Sequence, residues 1–227
     1  MKEASNRVKQ LVSGFFIAFI AGCSSMPFQE TARVSLESAD PQIILERFRN
    51  DSPESFRLLT TVVFQYNLDK LSGIGYVDIN TREKAFTVVC INAMGVKLFE
   101  LSGGKDGTVS HFAFEELSKR GDFVSVIGED IKRIYFDSVP SSGATINRKK
   151  FKIIFNQPYG PGIMEYVFAG ADGNMVEKNY YEDNTLIWRV SFYEYRQKDG
   201  KIYPGGIILN NYKYGYSLTV RLKEIQA

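Results

Sequence analysis

Cysteine and histidine are almost absent from this chain: Cys23, Cys90 and His111 are the only three in 227 residues. So few soft and imidazole ligands cannot build a typical zinc site. A Ser-His-Asp triad has only His111 to form around. His111 sits in a run of strand character, where it reads as a satisfied or solvent-facing residue. No Gly-x-Ser-x-Gly nucleophile elbow occurs. Gly73-Ile74-Gly75 lacks the third glycine and the following helix of a dinucleotide loop. The run from Gly103 to Gly107 precedes no helix, so it reads as a hairpin turn. Glu115-Glu116 and Glu129-Asp130 are adjacent pairs, which do not share a helix face. They read as solvated charge. A carboxylate pair assembled from distant positions stays open.

Net charge is also lacking. Three of the 28 basic and one of the 26 acidic residues fall in the first 22, so the rest of the chain is electrically balanced. That gives no reason to expect nucleic acid or an acidic polymer as partner. Long apolar runs are missing too. The best is 11–20, bounded by Lys2, Arg7 and Lys9 before it and Ile20-Ala21-Gly22-Cys23 after it. It is too short to span a bilayer comfortably. The order basic, apolar, small is that of a secretory signal over 1–22.

The Ile-Ala-Gly-Cys ending resembles the lipobox of bacterial lipoproteins. The resemblance implies cleavage before Cys23 and a covalent N-terminal diacylglycerol and acyl chain on it. No other cofactor is expected. Ser24 after the cysteine implies, in lipoproteins of this type, an outer-membrane address on the periplasmic face. Cys90 then has no partner for an internal disulfide. It lies in the apolar run Phe86-Thr87-Val88-Val89-Cys90-Ile91 and reads as a buried structural thiol.

What the chain has in quantity is aromatic residues, with 17 Phe, 13 Tyr and one Trp. These favour strands. Residues 23–40 read as a polar tether and 41–227 as one domain. Asp40-Pro41 signals a helix start, with Ile44, Leu45 and Phe48 on one face. From Phe56 the apolar period becomes two, giving strands near 56–66, 73–80, 85–92, 97–102 and 108–113. Between 114 and 136, Phe123, Val126, Ile127, Ile131 and Ile134 recur at three and four, as on an amphipathic helix. Gly121 and Gly128 are expected to divide it. After a polar stretch over 138–149, strands return near 150–156, 163–169, 174–181, 185–196, 204–210 and 217–225. Tyr212, Tyr214 and Tyr216 alternate as on one face of an edge strand. The layout is mainly β within an α+β class: a curved antiparallel incomplete barrel with a helical lid.

Three stretches resemble the LolA and LolB family of lipoprotein carriers and outer-membrane receptors. The first is Asn92-Ala93-Met94-Gly95-Val96-Lys97-Leu98-Phe99-Glu100-Leu101, where LolB-type proteins carry an Asn-Pro-Leu-Gly hairpin. The second is the helical insert Phe114 to Phe136. The third runs from Tyr203-Pro204-Gly205-Gly206-Ile207 to Tyr216-Ser217-Leu218-Thr219-Val220-Arg221-Leu222. The resemblance implies a lidded apolar cavity that receives an acylated lipoprotein or another lipid, exchange with a periplasmic carrier protein, and no enzyme activity. Met94 matches the family's protruding leucine, a membrane-transfer tip. Its local reading leaves both an exposed tip and a tucked turn residue open. Ala93 stands where the family has Pro, which makes the hairpin less rigid. Phe123, Ile127 and Ile131 are the expected lid residues, packing into the core with ligand contact on the same face, while Trp188 and Phe192 are the expected cavity residues and read either as plain core or as ligand wall. A structural or assembly lipoprotein with a packed interior, docking on an outer-membrane complex, is the alternative. An envelope hydrolase is the third and weakest reading.

Overall fold

The computed structural model describes residues 26–118 and 122–226. Cys23 and Gly121 lie outside the described residues. Helix α1 (Pro41–Asp51) starts where Asp40 accepts a hydrogen bond from the Gln42 amide at 2.8 Å, with Pro41 in the first turn. A capping carboxylate and a preset φ both favour this start. Its buried face is Ile44, Leu45 and Phe48, and Phe48 meets Phe168 edge-on at 5.3 Å.

Five strands then follow as a meander: β1 (Ser55–Tyr66), β2 (Asp69–Asn80), β3 (Ala85–Ile91), β4 (Lys97–Gly104) and β5 (Gly107–Ala113). Two helices interrupt it, α2 (Glu115–Ser118) and α3 (Phe123–Tyr135). A second meander runs β6 (Thr145–Lys149), β7 (Lys152–Tyr159), β8 (Gly162–Ala169), β9 (Asn174–Glu182) and β10 (Thr185–Tyr193). A short hairpin, β11 (Arg196–Lys198) and β12 (Lys201–Tyr203), precedes β13 (Gly206–Asn211) and β14 (Tyr216–Gln226). Twelve strands form one antiparallel sheet in the order β5-β4-β3-β2-β1-β14-β13-β10-β9-β8-β7-β6. The terminal strand therefore joins the two meanders, pairing Tyr216 with Tyr66 on one side and with Asn211 on the other. The ends β5 and β6 do not pair, so the barrel is incomplete. The sheet curves around α3, which contacts β4 and β5 directly and reaches Trp188 of β10 through Arg133.

Four features differ from the sequence expectations. Residues 26–40 lie against the body and do not trail from it as a polar tether. Phe28 and Leu36 are buried, the Leu36 amide donates to the Lys150 carbonyl at 2.8 Å, and Arg148 donates to the carbonyls of Glu37 and Ala39. The stretch 138–149 contains β6, every residue of which is exposed. Burial on neither face leaves no alternation to read, and Arg148 and Lys149 suit an uncovered edge. The expected strand 185–196 stops at Tyr193, because Glu194 takes a left-handed φ of 52° and the chain turns into β11 and β12. Finally, α3 passes through Gly128 unbroken. A Cβ there would fall 1.9 Å from Thr108 Oγ1, so the glycine permits close approach of helix to β5.

Candidate functional site

The apolar stripe of α3 faces the concave side of β1, β2 and β3. Between them lies a cavity of about 70 Å3, walled by Phe123, Ile127, Ile131 and Ile134 above and by Val62, Phe64, Val77 and Val88 below. Among the described residues no charged side chain lines it. Phe123 closes one end edge-on against Phe99, with ring centroids 5.5 Å apart. The floor includes Gly73 and Gly75. A Cβ on Gly73 would lie 2.7 Å from Cys90 Sγ, and one on Gly75 would lie 2.9 Å from Thr60 Oγ1. Glycine in mid-strand forgoes packing, and here it keeps the floor low. Cys90 lines the same space, 2 % exposed, and burial pushes its thiol up to about 11. A thiol so protonated is a poor nucleophile, in keeping with the buried structural reading.

Three of the five expected lid residues, Phe123, Ile127 and Ile131, thus meet at one cavity. Trp188 and Phe192 do not reach it. Trp188 borders a separate polar hollow on the other side of α3, stacked on Tyr180 at 5.7 Å. Phe192 packs beneath α1 with Phe48 and Met175. The reason is strand position. Both lie on β10, three places from β1 in the sheet order, while the cavity is built on β1 to β3 with Leu218 and Val220 of β14.

Met94 is 84 % exposed at the β3–β4 turn. Asn92 forms that turn, its side chain accepting from the amides of Met94 and Val96 at 2.9 Å. Gly95 supplies a φ of 81°. The β1–β2 turn on the same edge of the sheet carries Leu68, 99 % exposed, and the β13–β14 turn carries exposed Tyr212 and Tyr214. These two tyrosines therefore stand in a turn, not on the expected edge-strand face, and Tyr216 beyond them is buried. His111 is exposed on β5, its Nε2 2.7 Å from Ser102 Oγ.

The sequence reading missed the polar anchor of the lid. Asp130 is completely buried, contrary to the solvated charge expected of it. It falls three residues after Ile127 and four before Ile134, inside the apolar stripe, and that placement was the available signal. Both its oxygens accept the Tyr216 hydroxyl at 2.8 Å, and Arg133 Nη1 donates to Oδ1 at 2.8 Å. Burial raises its pKa to about 6, against the pull of Arg133 and the Tyr216 hydrogen bond. Just past the helix, the ammonium of Lys178 donates to the Phe136 carbonyl at 2.6 Å. Lys178 is 1 % exposed, and burial lowers it to about 7. These bonds tie the second half of α3 to β14 and β9. Among the described residues no cluster suited to a metal ion occurs, and no helix is long and apolar enough to cross a membrane.

No family model and no curated protein matches the chain. Solved structures do. A domain from Vibrio parahaemolyticus described as an outer membrane lipoprotein-sorting protein aligns over 82 % of this chain and 90 % of its own, at 9 % identity and a TM-score of 0.50. A LolA superfamily protein from Nitrosomonas europaea aligns over 85 % of this chain and 93 % of its own, at 11 % identity and a TM-score of 0.50. The shared feature is the fold, an open curved antiparallel sheet. These two proteins are described by lipoprotein sorting and by the LolA superfamily.

Proposed function

We propose that the chain is a lipid-anchored envelope lipoprotein that takes an acyl chain of a lipoprotein or lipid beneath α3 and passes it to the outer membrane. The observation that carries this is the cavity lined, among the described residues, by no charged side chain, under a helix whose described hydrogen bonds to the sheet all fall in its second half. At about 70 Å3 the space is under half of the roughly 150 Å3 cavity that takes benzene. An acyl chain therefore needs the first half of α3 to lift, carrying Phe123 and Ile127 away from the floor. Transfer of each methylene from water gains about 0.8 kcal/mol, so the driving force is burial and no covalent step is required. The anchor is the acylated Cys23, and a periplasmic carrier protein is the donor.

The exposed turn tips support the delivery half of this reading. Met94, Leu68, Tyr212 and Tyr214 are exposed on turns at one end of the strands. Large exposed apolar side chains grouped on one rim mark membrane or protein contacts. Lys97 and Lys213 beside them lie over the rings of Phe112 and Tyr214.

The small size of the cavity favours a second reading, a scaffold with a filled interior that docks onto an envelope complex. Binding of a fluorescent 16-carbon fatty acid separates the two. The carrier reading expects saturable binding, weakened at least tenfold by Phe123→Asp. It expects Met94→Asp to bind the probe as well as the parent does but to release it to liposomes at least tenfold more slowly. A folded protein that ignores the probe favours the scaffold. Equal transfer by Met94→Asp removes the tip from the account.

A further inference from the structure

The other face of α3 borders a second hollow, of about 330 Å3, and its chemistry is the reverse of the first. Five cations converge on it: Lys84, Lys105, Lys132, Arg133 and Lys178. Three of them are already neutralised. Lys84 pairs with Asp137 at 2.7 Å, Lys132 with Glu129 at 2.9 Å, and Arg133 with Asp130 at 2.8 Å. Lys178 and Lys105 have no carboxylate partner among the described residues. Lys178 offers three donors and uses one, on the Phe136 carbonyl. Lys178 also feels the Asp137 carboxylate, but that group is already paired with Lys84, so the buried ammonium is under-compensated. Lys105 is exposed on the β4–β5 turn and borders the same space.

The remaining wall is aromatic and apolar: Phe136, Tyr159, Met164, Tyr180 and Trp188. Arg133 sits over Trp188 at 5.8 Å, and Tyr180 stacks on the same indole. One buried, under-compensated cation and one exposed cation, with the lining carboxylates Glu129 and Asp137 already paired, beside aromatic walls describe a seat for an anion carried on an apolar body.

We propose that this hollow is a second binding site, specific for a phosphate group, with Lys178 and Lys105 as its charge partners and the Trp188–Tyr180 stack holding whatever the phosphate is attached to. It stands apart from the acyl-chain reading, since the two hollows share no lining residue.

Trp188 is the chain's only tryptophan, so its fluorescence reports on this site alone. The test titrates the full chain with hexyl phosphate, inorganic phosphate and 1-hexanol. A saturable change with hexyl phosphate is expected, together with a loss of about fivefold in affinity on Lys105→Glu, the size of one exposed charge contact. Lys178→Met is expected to lose more. Lys105→Glu reads the charge dependence at an exposed position, where the substitution leaves the packing of the hollow unchanged. Inorganic phosphate binding more weakly than hexyl phosphate identifies an amphiphile headgroup as the source. Equal affinity for both identifies free phosphate, and either supports the site. Equal response to hexanol and hexyl phosphate, or unchanged affinity in Lys105→Glu, overturns it.

Discussion

Asp130→Ala is expected to cost about 3–5 kcal/mol, the range for removing one partner of a buried ion pair. For a chain of this size that is roughly 10 °C in melting temperature. The substitution strands the Arg133 guanidinium, whose side chain is only 21 % exposed, and takes the acceptor from the Tyr216 hydroxyl. Asn211, which donates to that hydroxyl at 3.1 Å, cannot replace an acceptor. Asp130→Asn keeps the shape and loses the charge, so its cost is smaller, and it has a second signature. Burial raises the folded pKa of Asp130 to about 6, above its ordinary value of about 4. The folded chain then binds the proton more tightly. Stability from this group is full below about pH 4 and is lost as pH rises through about 6. Urea melts across pH 4 to 7 are expected to show that decline in the parent and its absence in Asp130→Asn. Equal slopes in both proteins would show that Asp130 is not the group responsible.

Lys178 produces the larger pH effect, with the opposite slope. Its folded pKa, about 7, lies below the ordinary 10.5. Between those values the unfolded chain holds more protons, so stability rises with pH. A separation of roughly three units at about 1.4 kcal/mol each gives up to about 4 kcal/mol between pH 7 and pH 10. Above pH 10 the trend reverses. Burial raises Tyr135, Tyr166, Tyr195 and Tyr216, so the unfolded chain loses phenol protons that the folded chain keeps. Lys178→Met replaces a buried charge by an apolar side chain of similar length, a change that is often neutral or stabilising. Chemical denaturation of that variant is expected to give stability at pH 6 at least equal to the parent's and a flat profile from pH 7 to 10. A parent profile already flat over that range would mean that Lys178 keeps an ordinary pKa and is hydrated.

Much of the fold was legible because it rests on period. The alternation from Phe56, the three-and-four spacing from Phe123 and the capping pair Asp40-Pro41 each name an element directly. The resemblance at Asn92–Leu101 placed Met94 at a turn, and the turn leaves it exposed. The rest was hidden for physical reasons. The edge strand β6 buries nothing, so no pattern marks it. Residues 26–40 look polar, yet their ordering comes from Phe28, Leu36 and backbone hydrogen bonds with Arg148 and Lys150 far along the chain. Half of the candidate site was readable from one helix face, Phe123, Ile127 and Ile131. Trp188 and Phe192 were aromatic enough to belong, but only strand order shows that β10 lies away from β1 to β3. Lys178 had no local signal at all. Its burial follows from the closure of β9 against the segment after α3, a contact 42 residues distant in sequence.

The central claim is that the space beneath α3 receives an acyl chain. Its most direct test is mass spectrometry of the chain without residues 1–23, made in the periplasm and purified free of detergent. The account predicts that acyl-bearing molecules leave the protein only on denaturation, at close to one per chain. A folded protein that carries none, and that takes up none when offered lipid vesicles, would contradict it.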